Sequence, residues 1–193
     1  MVDRIKYYRI GPKEQSIKAV AYTPESVCMS SSKIVKLSSQ KGLPFAMELH
    51  SVYVTDKLMK GGLSDAFMDM LSNNLGYTML SVRIKRIIDS HLTGHESLRW
   101  LSVLVKGKTQ DKEYFIPVFE KYLDTLDKSK TQYIPNTELV VKAVYDYDKM
   151  KQYAIFHDPG DSEWQMSYFI SVNDSIKRAI EKEGIPGLEF ERI

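Results

Sequence analysis

The chain is short of the features that most directly announce a function. It has a single cysteine, Cys28, in 193 residues. No intramolecular disulfide can therefore form, and a reducing compartment suits it. No apolar run approaches the length of a membrane span, and Met1 to Lys6 form no apolar leader, so the expectation is no membrane and a cytoplasmic location. Charge of one sign is lacking too: 27 basic against 25 acidic side chains leave +2. Nucleic-acid binding needs a concentrated basic field, so no nucleic acid is expected as a partner. G-x-S-x-G, a glycine-rich phosphate loop and G-x-G-x-x-G are all missing, which leaves hydrolase, nucleotide and dinucleotide readings without an anchor.

The residues that could carry chemistry are few. His91, His95 and Glu96 spell H-x-x-x-H-E, and the i, i+4 spacing could place two metal ligands on one helical face. Thr93-Gly94 falls between the histidines, however, where a helix should be ending, and the glutamate stands outside the pair. Cys28 and His50 could be imagined as thiol and base, but no helix start near Cys28 would lower its pKa. No catalytic residue, cofactor or metal is assigned.

What is present is a well-marked carboxyl-terminal unit. Met166, Tyr168 and Ile170 at period two predict a strand. Ser171 with Asp174 reads as a capping box, and Ile176, Ala179 and Ile180 form the stripe of an amphipathic helix. Gly184 and Pro186 stop it, and Leu188 and Phe190 begin a closing strand. About ninety residues earlier Tyr77–Leu80, a Ser81 cap, Ile84, Ile87, Ile88, Gly94 and the strand Leu98–Val105 repeat the plan. Ser81-Val82-Arg83-Ile84-Lys85-Arg86 aligns with Ser171-Val172…Ile176-Lys177-Arg178 if two residues are inserted. A duplication and the ordinary recurrence of strand–cap–helix strings both fit.

Elsewhere, strands are expected at Arg4–Ile10, Ile17–Tyr22 and His50–Val54, and a short helix after Ser64 carrying Phe67, Met68, Met70 and Leu71. Glu113–Phe119 returns as a hairpin partner whose Pro117 asks for an edge or a bulge. Leu139–Tyr145 and Tyr153–Phe156 read as further strands. The class is α+β: a mixed, mainly antiparallel sheet with a few short amphipathic helices and two related strand–helix–strand units. Residues 1–76 are read as an N-terminal segment packed on a main domain, 77–193.

Two loops bring carboxylates and aromatics together: Asp146-Tyr147-Asp148, and Asp158 with Asp161, Glu163 and Trp164. Such loops suit the basic face of another protein. Several pieces then come in a telling order. Met79-Leu80-Ser81 enters a helix, and the Trp100–Phe119 hairpin, Leu126-Asp127-Lys128-Ser129, Leu139–Tyr145 and Tyr153-Ala154-Ile155-Phe156 follow. Phe169-Ile170-Ser171-Val172 and Ile185-Pro186-Gly187-Leu188-Glu189-Phe190 close the series. This succession, over about residues 77–193, resembles the bacterial polymorphic-toxin immunity proteins long grouped as a domain of unknown function. The resemblance implies a non-catalytic protein that neutralises a cognate toxin by occluding its active site. It carries over no binding residues, so the two acidic–aromatic loops are the expected contacts. An uncharacterised hydrolase and an oligomerising adaptor are the alternatives.

Overall fold

A computed structural model describes residues 4–14, 18–24, 41–54, 58–160 and 164–193. Cys28, Asp161 and Glu163 lie outside the described residues. Two larger sheets and a small ribbon make up the fold. The first sheet has the order β10–β11–β1–β12, with β1 at Tyr7–Pro12, β10 at Ile155–His157, β11 at Ile170–Asn173 and β12 at Leu188–Arg192. The second contains β2 (Ala19–Tyr22), β3 (Met47–Val54), β4 (Leu58–Leu63), β5 (Leu80–Ser81), β6 (Leu98–Lys106) and β7 (Asp111–Phe119). It runs β2–β3–β6–β7–β5, with β4 also paired to β3. The ribbon joins β8 (Gln132–Tyr133) to β9 (Val140–Lys142). Among the described residues the helices are α1 (Val82–Asp89), α2 (Tyr147–Met150) and α3 (Asp174–Lys182). Mixed, mainly antiparallel α+β is the class the composition of elements predicts.

The two strand–helix–strand units are built on one plan. In each, the helix links two strands that are parallel to each other with one antiparallel strand between them: β7 lies between β5 and β6, and β1 between β11 and β12. This is a split βαβ arrangement. The caps correct the sequence alignment. Ser81 caps α1 by accepting from the Ile84 amide, but Asn173, not Ser171, caps α3 by accepting from the Ile176 amide at 3.0 Å. β11 pairs with β1 as far as Asn173, so Ser171 is held in the strand and the helix starts two residues later. Aligned on their caps, the units need no insertion: Ile84 matches Ile176, Ile88 matches Ile180, and all four are buried in one core.

The correspondence extends to Lys85 and Lys177. Lys85 lies over the rings of Trp100 and Phe115, 5.4 and 5.5 Å from their centroids. Lys177 lies over Tyr8 and Phe190, at 5.2 and 5.4 Å. In both units, one ring comes from the intervening strand and one from the strand after the helix. Each lysine also pairs with a carboxylate one turn on, Asp89 or Glu181. Each ammonium thus lies against two aromatic rings and beside a carboxylate, a cation–π contact within an ion pair.

Both helices pack their isoleucines into a core shared with the first sheet, where Tyr7, Ile10, Phe156, Ile170 and Val172 are buried. The other face of the second sheet closes a separate core around Met47, Leu49, Leu101, Val103, Tyr114 and Met79. The Tyr7 hydroxyl lies 2.8 and 2.9 Å from the carbonyls of Met150 and Tyr153 and gives its one proton to either, and burial pushes this phenol far above its ordinary pKa.

Two local expectations change, the helix after Ser64 and the strand from Met166. No helix follows Ser64: Leu71 instead donates to the Met79 carbonyl and Met70 bridges Leu80, while Asp65 is spent on the Thr109 amide and hydroxyl. Gly61-Gly62 lies inside β4 and does not break it. Trp164–Met166 is a 3₁₀ turn, so the strand read from Met166 onward begins at Ile170. Trp100 is half-buried at the seam with α1 and donates its indole N–H to Asp89 at 2.7 Å. Pro117 stands where an edge was expected, because β5 reaches β7 only at Tyr114 and Phe115.

Candidate interaction surface

The stretch Leu139–Tyr145, expected as a strand, forms only the three-residue β9, which among the described residues pairs with β8 alone. Pro135 and Asn136 encode the turn between them. Asn136 has φ 62° and the Thr137 amide donates to the Ile134 carbonyl, a turn that pairs proline's fixed φ with an asparagine tolerant of positive φ. The ribbon's base is tied down at Thr131, whose hydroxyl and amide bond Val144 and Asp127. Its apolar side chains are left in solvent: Val141 is 65% exposed, Leu139 47% and Ile134 44%.

Two grooves flank β9. The larger, about 850 Å³, is lined by Tyr122, Leu126, Tyr133, Leu139, Pro159 and Trp164, among others. The smaller, about 440 Å³, is walled by Val140, Val141 and Ala143 on one side and by Asp158, Tyr168 and Phe169 on the other. Of the nine large apolar side chains exposed among the described residues, six belong here: Tyr122, Ile134, Leu139, Val141, Tyr168 and Phe169. Scattered exposed apolar residues are normal, but a concentration rimmed by charge is not.

The floor of the larger groove is aromatic. Trp164 packs edge-on to Tyr122, with centroids 5.8 Å apart, and both lie against the buried His157 ring. The Leu123 amide donates to His157 Nε2 at 2.8 Å, so that nitrogen keeps its lone pair and the proton sits on Nδ1, 3.1 Å from the Asp158 carbonyl. Burial raises the Tyr122 phenol above its ordinary value; it also pushes Tyr145 up to about 12, with the Asp158 charge adding to it.

The ribbon's base titrates at unusually low pH. Asp127 accepts from Lys130 Nζ at 2.7 Å and from the Ser129 hydroxyl and amide, which hold its pKa at about 2. A carboxyl whose folded pKa is depressed contributes stability above its unfolded value, and that contribution disappears as pH falls through the folded one. The Asp127 carboxyl carbon should therefore titrate near pH 2 in an NMR series, the ribbon base loosening between about pH 4 and 2. Ser129→Ala should move that midpoint upward. A midpoint at 4 in the unsubstituted chain would contradict the geometry.

Of the residues expected to touch a partner, the structure brings Asp158 and Trp164 to these grooves. Asp158 is paired with Arg9 at 3.1 Å and accepts from the Gly160 amide. Asp146, Tyr147 and Asp148 line neither groove. Asp146 caps α2, Tyr147 takes a bond from the Ile5 amide and lies under Arg4, and Asp148 pairs with Lys151. Asp161 and Glu163 fall outside the described residues. Tyr122, Tyr133, Leu139, Val141, Tyr168 and Phe169 were not among the contacts expected from sequence. Alternating or aromatic residues signal burial, and nothing local marks a strand that finds no layer to cover it.

The other constellations have structural partners. His91 Nδ1 lies 2.7 Å from the Ile87 carbonyl, His95 is exposed, and Glu96 is buried away from both roles. Its carboxylate accepts from the amides of Thr93, Gly94 and Ala154, the last at 2.7 Å. His50 bonds the Gly61 carbonyl and Glu48. Among the described residues no three His, Cys, Asp or Glu side chains stand close enough to share a metal ion, and no helix is long and apolar enough to cross a membrane.

Fold and surface together define a mixed α+β protein that presents an aromatic and aliphatic surface around a projecting ribbon. The chain belongs to the Immunity protein family (Imm11), whose pattern it matches over residues 7–193, so the match takes in β1 and the N-terminal third as well as the carboxyl-terminal unit. Membership gives it a toxin-immunity role, which implies a toxin partner. No curated protein matches the chain.

Proposed function

We propose that this chain is a non-catalytic immunity protein that binds its cognate toxin in the cytoplasm and covers the toxin's active site. In this reading the docking face is the ribbon with its two grooves, including Asp158 and Trp164. One observation carries it: among the described residues, two-thirds of the large exposed apolar side chains gather at this one place. An interface core needs apolar and aromatic anchors that lose their water, and Tyr122, Tyr133, Leu139 and Trp164 are of that kind. Asp146, Tyr147 and Asp148 are assigned to holding α2 and the N-terminal strap, since each is already engaged within the fold.

The test is co-expression of the tagged chain with the polypeptide encoded by the adjacent reading frame. The reading expects a stoichiometric complex, and growth of cells that the neighbour alone would kill. It also expects the toxin's activity, once identified, to fall in proportion to complex formed, with no turnover of any substrate by the immunity chain. Protection without a complex, or with the toxin chemically altered, would overturn it.

A further inference from the structure

Among the described residues the two-stranded ribbon leaves one side of β9 without a strand partner, and the smaller groove runs beside it. The lining of that groove includes Val140, Val141 and Ala143 of β9 and its continuation but no residue of β8. Among the described residues β9 pairs with β8 alone. Its register slips between Gln132↔Lys142 and Tyr133↔Val140, so Val141 is the extra residue of a bulge. Across the groove stand Phe169 and Tyr168, both exposed, and the Arg9–Asp158 pair, with Arg9 lying over the Phe169 ring at 5.2 Å. The floor is narrow at Gly160, where even an added Cβ would come within 3.3 Å of Val140.

Resting on the proposed function, we propose that the toxin docks by adding an extended segment to β9 as a third strand of this ribbon. A two-stranded hairpin is marginal by itself, and a third strand with an apolar face completes a stable sheet. Strand addition draws its affinity from main-chain bonds and its specificity from pockets for alternate side chains. Here the apolar pocket is formed by Val141 and Phe169. The polar position is Lys142, an exposed cation that has no carboxylate partner among the described residues. The segment that fits therefore alternates apolar residues with an acidic one opposite Lys142. Of the acidic residues expected from sequence to meet a basic partner, Asp148 and Asp158 are already paired with Lys151 and Arg9.

The experiment is amide hydrogen exchange by NMR on the full chain, free and in complex with the co-expressed product of the adjacent reading frame. At least one amide between Val140 and Ala143 should exchange fast in the free chain and at least 100-fold more slowly in the complex. Lys142→Glu should weaken the complex about tenfold at low salt and less at high salt. A complex that leaves every β9 amide exchanging as in the free chain would overturn strand addition while leaving the immunity reading intact. Protection of β9 in the free chain, with a dimeric mass by light scattering, would make a second copy the occupant and also overturn it. If no complex forms, the proposed function falls, and this inference with it.

Discussion

Replacing Glu96 by alanine should cost about 4 kcal/mol of unfolding free energy, and by glutamine about 2 kcal/mol, read from urea denaturation. The buried carboxylate sits in a ring of donors: the Thr93 amide reaches both oxygens, the Gly94 amide reaches Oε2 at 3.0 Å, and the Ala154 amide reaches Oε1 at 2.7 Å. The Thr93 hydroxyl, 2.9 Å from Oε1 and 2.7 Å from the Gln152 carbonyl, gives its one proton to either. Alanine would leave three amides without an acceptor, and the desolvation cost of each is full where burial excludes water. Glutamine keeps one acceptor but turns its NH₂ toward a donor, so it should recover about half of the loss. The same ring holds a loop with two residues at positive φ, Gly94 at 89° and the non-glycine Ser97 at 45°, a conformation that is costly by itself. If Glu96→Ala were as stable as the parent chain within 0.5 kcal/mol, the carboxylate would not be what ties α1's end to the start of β10.

The second large effect concerns binding, with folding unchanged. Leu139→Asp combined with Val141→Asp should weaken the toxin complex by more than 100-fold, which is about 2.7 kcal/mol, and abolish protection of co-expressing cells. Both side chains are so exposed that stability should change by less than about 0.5 kcal/mol. Calorimetric titration measures the first quantity and thermal unfolding the second. A complex of parental affinity would move the docking face elsewhere. Leu63→Asp, an exposed residue of β4 that lines neither groove, serves as the matched control and should bind as the parent does.

The split between what was legible and what was not follows the range of the interactions. The Ser81 cap, the isoleucine stripes of α1 and α3, the β6–β7 hairpin and the glycine stop at Gly184 all depend on neighbours within a few residues. They could be read before any coordinates. The α3 cap slipped by two residues because β1 pairs with Asn173, a contact made across the whole length of the chain. Glu96 looked like half of a metal motif, and its use is fixed by the amide of Ala154, 58 residues on.

The surface was the least legible part, and for one reason. Periodicity says which side chains share a face and leaves open whether anything covers that face. Leu139 and Val141 have the alternation of a core strand, yet they stay in solvent because no other strand or helix packs over the ribbon among the described residues. Sequence by itself determined the class, the paired strand–helix–strand plan and the family resemblance, since each is written in local patterns. Tertiary structure alone decided that β1 lies between the two carboxyl-terminal strands and that the apolar ribbon is bare, because both depend on segments meeting from opposite ends of the chain.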